Sequence, residues 1–91
     1  MVIFRAASAH RLRVGALRVS GSFPPNLLRF RRDAGLSQEQ LAFRAGVTRN
    51  FVGGLERGEQ SPTLRTLDKL AETLGVSPLD LLRDPPKPKP R

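Results

Sequence analysis

The sequence predicts an all-α domain of five short helices spanning residues 23–83. Apolar residues recur there at three- and four-residue spacing, the periodicity of a helix with one buried face. Ser or Thr precedes most of these stretches, and a glycine follows four of them, at Gly35, Gly46, Gly58 and Gly75. This is the start-and-stop chemistry of helices.

The first helix is expected after Pro24-Pro25, because a proline in the first turn lacks only an N–H that would go unpaired there. Leu27, Phe30, Arg31 and Ala34 share a face, and Gly35 closes the helix as a C-terminal cap. The second helix opens on Ser37-Gln38-Glu39-Gln40, a capping box in which the Ser37 hydroxyl takes the Gln40 amide and the Gln40 side chain reaches back. Leu36 is placed to staple onto Leu41, with Leu41, Ala42 and Ala45 as the buried stripe. Gly46 ends this helix and Val47 follows as an apolar plug. Thr48 caps the third helix, whose inward side carries Val52, Leu55 and Glu56, and Gly58 stops it. A fourth helix is expected from Ser61 or Thr63, with Pro62 in its first turn. Its stripe is Leu64, Leu67, Leu70, Ala71 and Leu74, ended by Gly75. Ser77 caps a fifth, with Asp80 in the first turn favouring the helix dipole and Leu79, Leu81 and Leu82 as its apolar content.

The flanks read differently. In residues 1–22 the strand-like fragments RLRV and LRV are interrupted by Gly15 and Ala16, so a flexible basic arm is expected. Its acid-free, arginine-bearing composition also fits a transit peptide, whereas arginines in every apolar stretch exclude a secretory signal. Residues 84–91, DPPKPKPR, are an extended, solvated tail, because alternating prolines forbid helix and core. No stretch approaches the roughly 18 apolar residues of a membrane span, so no membrane partner is expected and the chain reads as cytoplasmic.

Composition narrows the chemistry. There are no cysteines, and the single histidine, His10, falls in the arm as a solvated side chain, so no disulfide, metal site or other cofactor is expected. Glycine-rich phosphate loops and paired pocket carboxylates are also missing, which argues against an enzyme. The formal charge of +8 invites a polyanionic partner. Most of it lies in the flanks: Arg5, Arg11, Arg13 and Arg18 in residues 1–25, and Lys87, Lys89 and Arg91 at the end. Residues 26–84 carry nine bases against eight acids, so a motif, not net charge, must identify the partner.

That motif lies between Leu41 and Leu55. Two short helices joined only by Gly46-Val47-Thr48 must cross steeply, and small Ala42 and Ala45 allow close approach. The outcome is a corner with one helix, about residues 48–57, projecting toward the solvent. Such a helix fits the major groove of DNA, which is about 12 Å wide.

The stretch LLRFRRDAGLSQEQLAFRAGVTRNFVGGLERGEQSPTLRTLDKLAETLGVSPLDLL resembles the phage-repressor-like, Cro/XRE-type helix-turn-helix domain, the lambda-repressor-like fold. Its anchors are Arg31, Leu36-Ser37-Gln38, Leu41-Ala42, Gly46-Val47, Leu55-Glu56-Arg57-Gly58, Pro62 and Leu74-Gly75-Val76-Ser77. Residues 49–58 are also similar to the controller proteins of restriction–modification systems. The resemblance implies sequence-specific binding of double-stranded DNA by a homodimeric transcriptional regulator. It implies that Gln38, Arg44 and Arg57 meet phosphates, and that Thr48, Arg49 and Asn50 open the recognition helix at base edges. Arg49 suits guanine O6/N7, Asn50 suits adenine N6/N7, and Phe51 a thymine methyl or the groove wall. Gly54 stands where the family often carries another base-reading side chain. Arg31 and Glu56 correspond to an ion pair tying the first helix to the third. The sequence offers the fifth helix, at Leu79 and Leu82, as the dimer seam, with Leu28 expected exposed beside it.

Bland readings stand beside these. Arg49 and Asn50 also suit a solvated helix start, Phe51 a core position and Gln38 a simple cap. Gly53-Gly54 allows either close backbone approach to DNA or mere tolerance of two weak helix formers. The alternative function on the same fold is an antitoxin or other protein-interaction module. The polar face of residues 48–54 favours DNA over an apolar groove.

Overall fold

Each helix contributes at least one side chain that is fully withdrawn from water, and these meet in one cluster. The computed structural model describes residues 19–85, arranged as α1 (Val19–Asp33), α2 (Gln38–Ala45), α3 (Arg49–Glu56), α4 (Leu64–Leu74) and α5 (Pro78–Leu82). Leu27 of α1, Leu41 of α2, Val52 and Leu55 of α3, Leu70 of α4 and Leu81 of α5 form the centre. Burying each stabilises the fold by about 1.5–3 kcal/mol relative to exposure. Eight-residue helices such as α2 and α3 are marginal alone in water, so this shared core is what holds them. Among the described residues there is no strand, as an all-α reading requires. His10, Arg11, Arg13 and Arg18 lie outside the described residues, as do most of the expected arm and tail.

The caps form as the sequence predicts. The Gln40 amide donates to Ser37 Oγ at 3.0 Å and the Ser37 amide to Gln40 Oε1 at 2.8 Å, completing the capping box. Ser77 and Asp80 form a second box at α5. Between α2 and α3 the chain turns on Gly46, at φ +74°, a conformation in which a Cβ would be strained. The amide of Val47 then bonds back to the Ala42 carbonyl at 2.9 Å, and Thr48 in extended conformation takes the Phe51 amide at 3.1 Å. Three residues thus reverse the helix and start the next.

Four expectations need correction. First, α1 does not start after Pro24-Pro25: it already runs from Val19, with both prolines inside it. Each proline removes one rung of the helical ladder, but Ser22 and Phe23 are buried and the Ser22 hydroxyl donates to Asp84, so tertiary contacts override the local stop signal. The expected arm–domain boundary at residue 22 therefore falls within α1. Second, Thr63 caps α4, leaving Pro62 outside it. Third, Leu64 does not join the α4 stripe and is 82% exposed. As the first helical residue it sits at the rim, whereas Leu67, Leu70 and Ala71 point inward. Fourth, Leu28, expected at the surface, is half-buried.

Two polar joints tie α1 to the rest. Asn26, 1% exposed, donates from Nδ2 to the carbonyls of Leu81 (3.0 Å) and Arg83 (2.6 Å), satisfying the end of α5. One and a half turns further on, Arg31 reaches the end of α3. Among the described residues, no buried side-chain nitrogen or oxygen lacks a partner.

Candidate nucleic-acid interface

The projecting helix, α3, is eight residues long, about 12 Å at 1.5 Å per residue. Its inward side is Val52 and Leu55, both fully buried. Thr48, Arg49 and Asn50 stand exposed at its start. Arg49 occupies the first helical position with no acid in that turn, although a cation there opposes the helix dipole. A placement that local electrostatics disfavours, on a surface free of packing demands, is the kind of local inconsistency that marks a functional position. Positive charge and helix N-terminus add together here, in favour of an anionic partner.

Phe51 is half-buried and packs partly against the core, so its ring is shared between interior and surface. The Thr48 oxygen accepts the Phe51 amide, which leaves its hydroxyl hydrogen available. Arg44 is exposed in the last turn of α2.

The Arg31–Glu56 pair forms as expected and is wider than a pair. Arg31 Nε and Nη2 meet Glu56 Oε2 and Oε1 at 2.6 and 3.1 Å, with side chains only 11% and 6% exposed. Arg31 Nη1 also donates to the Leu36 carbonyl at 2.8 Å. Gln38 Nε2 supplies a third donor to the same carboxylate, at 2.9 Å from Oε1. Glu56 therefore fastens α1 and α2 to the end of α3, and Arg31 ties in the α1–α2 loop, fixing the recognition helix in its tilt. For Gln38 this modifies the expectation: one N–H is committed to Glu56, and only the second remains for a phosphate.

Side chains of this chain lie over both glycines of the pair. A Cβ on Gly53 would lie 3.0 Å from Arg57 Nη1 and 3.7 Å from Gln38 Oε1. One on Gly54 would lie 2.7 Å from Gln60 Cγ, so residue 54 is buried under Gln60 and presents no surface for base reading. Gly53 is a docking floor. Arg49 and Asn50 stand one turn before it and Arg57 one turn after, while Gln38 reaches it from α2. The expected phosphate ligands Gln38 and Arg57 are thus brought together on the side of α3 that starts with the expected base readers.

Arg57 is itself held. Its Nε and Nη2 meet Glu59 Oε2 and Oε1 at 3.0 and 3.1 Å. The hydrogen bond and charge of Arg57 keep the Glu59 carboxyl below the usual carboxylate range, and Glu59 raises Arg57 in turn. Sequence reasoning missed Glu59, Gln60 and Asn26. For Glu59 a signal was present: residues two apart do not face each other in a helix, but Gly58 between them, at φ +78°, breaks the helix and turns them together.

On α5, Leu81 is buried, Leu79 is 64% exposed and Leu82 is half-buried. Leu82 also lines an open cleft of about 300 Å³ with Phe23, Pro24, Pro62, Leu64 and Leu67. No helix among the described residues is long and apolar enough to cross a membrane.

Comparison with known proteins agrees with this geometry. Residues 27–81 match the helix-turn-helix family HTH_3. The chain is 44% identical over 57 residues to an uncharacterized HTH-type transcriptional regulator, y4dJ, of Sinorhizobium fredii, covering 63% of this chain and 74% of that protein. It is 40% identical over 47 residues to the control protein C.BamHI of Bacillus amyloliquefaciens, covering 52% of this chain and 58% of the relative. The match thus spans less than two thirds of C.BamHI. Among solved structures, the restriction–modification controller protein C.AhdI of Aeromonas hydrophila superposes with a TM-score of 0.64 at 43% identity, over 66% of this chain and 91% of that one.

Proposed function

The chain belongs to the Cro/XRE-type helix-turn-helix family, and from that premise we propose that it is a sequence-specific DNA-binding transcriptional regulator working in the cytoplasm. The observation that carries the reading is the exposed polar start of α3, Thr48, Arg49 and Asn50, with Arg57 folded back along the same helix over Gly53 beside Gln38. Arg49 and Asn50 read base edges in the major groove, with Thr48 and the exposed part of Phe51 at the groove wall. Gln38, Arg44 and Arg57 hold phosphates and set register. Arg31 and Glu56 touch no DNA and fix the angle of α3.

A homodimer suits this function, because operators with two-fold symmetry mirror a two-fold protein. Leu79 and Leu82 of α5 supply its seam, supported by the exposure of Leu79 on an otherwise small domain. Kinship with the control protein C.BamHI and the restriction–modification controller protein C.AhdI favours a controller role of the same kind.

Fluorescence anisotropy on labelled duplex across a salt series tests the reading. Affinity falls as salt rises, and Arg57→Ala lowers the slope by about one per subunit. Arg49→Ala relaxes preference at one guanine, at a cost of about 1–3 kcal/mol. Binding indifferent to salt would defeat the proposal.

A further inference from the structure

We propose that Glu59 is a positioning residue for DNA binding: it clamps one edge of the Arg57 guanidinium so that the other edge is presented, already ordered, to a backbone phosphate above Gly53. The inference rests on the DNA-contact reading of Arg57 and adds to it a residue that would not itself touch DNA.

The geometry of the fork carries the argument. A guanidinium has five N–H donors in two paired sets. Glu59 takes the side set, Nε at 3.0 Å and Nη2 at 3.1 Å. The end set, Nη1 together with the second hydrogen of Nη2, is not used by this carboxylate. That end is directed across Gly53: Nη1 lies 3.0 Å from where a Cβ would stand, tighter than an ordinary contact, so the seat exists because residue 53 has no side chain. The Gln38 side-chain oxygen borders the same seat, 3.7 Å from that Cβ position, while its nitrogen is turned to Glu56. A phosphate approaching there meets the free edge of Arg57 without displacing Glu59.

A role in stability does not account for the clamp. Both side chains are about 60% exposed, at 59% and 61%. Ion pairs at such exposure contribute little to folding. What a two-point clamp on an exposed arginine does is remove rotamer freedom before DNA arrives. Immobilising a side chain of this kind on association costs the equivalent of about two- to tenfold in affinity. The cost of the arrangement is a negative charge held close to a polyanion, and this sets the test, because deleting the charge tightens binding for a trivial reason.

A double-mutant cycle separates the two effects. The full chain, Arg57→Ala, Glu59→Gln and the double variant are titrated onto a random-sequence duplex by anisotropy at fixed salt, after thermal melts show equal folding. Glu59→Gln in the Arg57→Ala background reports the general gain from losing a negative charge. With Arg57 present, the gain is expected to be smaller by about two- to tenfold, or reversed. A larger gain with Arg57 present than without it would mean that Glu59 competes with phosphate, and would overturn the proposal. Additive effects overturn it too, as does coupling that appears on a selected operator but not on random duplex, which would assign the free edge to a base. If Arg57→Ala alone leaves binding unchanged, the clamp is refuted while the regulator reading stands; if the wild type fails to bind duplex, the regulator reading itself falls.

Discussion

Replacing Arg31 by methionine removes the centre of the joint beneath the recognition helix. The substitution roughly preserves length, so the transfer and cavity contributions are small and the electrostatic one dominates. Glu56 loses both of its short bonds to Arg31, at 2.6 and 3.1 Å, and keeps only Gln38 at 2.9 Å. The Leu36 carbonyl loses its 2.8 Å donor. A carboxylate only 6% exposed is then left without a counter-charge. Breaking a buried pair from one side costs about 3–5 kcal/mol. A folded unit of this size has, at about 0.05–0.15 kcal/mol per residue, some 3–10 kcal/mol in all. The variant is therefore expected to melt at least about 12 °C lower, at roughly 4–8 °C per kcal/mol. Circular dichroism melts and urea titrations measure both quantities. The companion Arg31→Met/Glu56→Met removes the stranded charge along with its partner and should recover most of the loss. If Arg31→Met costs less than about 1 kcal/mol, or if the double variant is worse than the single by a further several kcal/mol, the joint is not the buried electrostatic lock described above.

Three further outcomes follow from particular contacts. Gly53→Ala should separate stability from binding: the helix gains up to about 1 kcal/mol from alanine, Arg57 is pushed off its seat by a Cβ 3.0 Å from Nη1, and duplex affinity falls; a fall in melting temperature instead would show that Gly53 accommodates something stiffer than an arginine tip. Asn26→Ala strands the carbonyls of Leu81 and Arg83 and should cost about 1–3 kcal/mol for each one that water cannot reach, read by urea titration. Leu79→Lys places charge on the expected dimer seam, where the native side chain is 64% exposed; sedimentation should shift toward monomer with the melting temperature of the monomer unchanged, and an unaltered dimer would place the seam elsewhere.

Features encoded by near neighbours in sequence were readable from the chain. The box at Ser37–Gln40 depends on residues three apart, the cap at Ser77 on a single hydroxyl, and the tight reversal at Gly46 on a residue type that tolerates a positive φ. The buried faces of α2 and α3 followed from periodicity, because a short helix covered by neighbours has one inward side. The partner of Arg31 came from family resemblance and not from spacing. What escaped was long-range or depended on a helix end. The Asn26 bond to Leu81 spans 55 residues, and nothing local requires it. Leu64 belongs to the right periodicity but stands at the rim of α4, where the stripe has nothing to pack against. The glycine pair stayed open between close approach to DNA and mere tolerance, because sequence does not reveal that Arg57 and Gln60 fold back over it.

The two polar joints on α1 lie only five residues apart, at Asn26 and Arg31, about 7.5 Å along the axis. One grips the element expected to meet a second subunit; the other grips the element expected to enter the groove. The first helix is therefore a strut between reader and coupling, with little slack at either end. In a paired molecule the separation of the two reading heads would be dictated by this strut and not adjusted to each target, so that operators with half-sites moved by even one base pair would have to bend or twist to be bound.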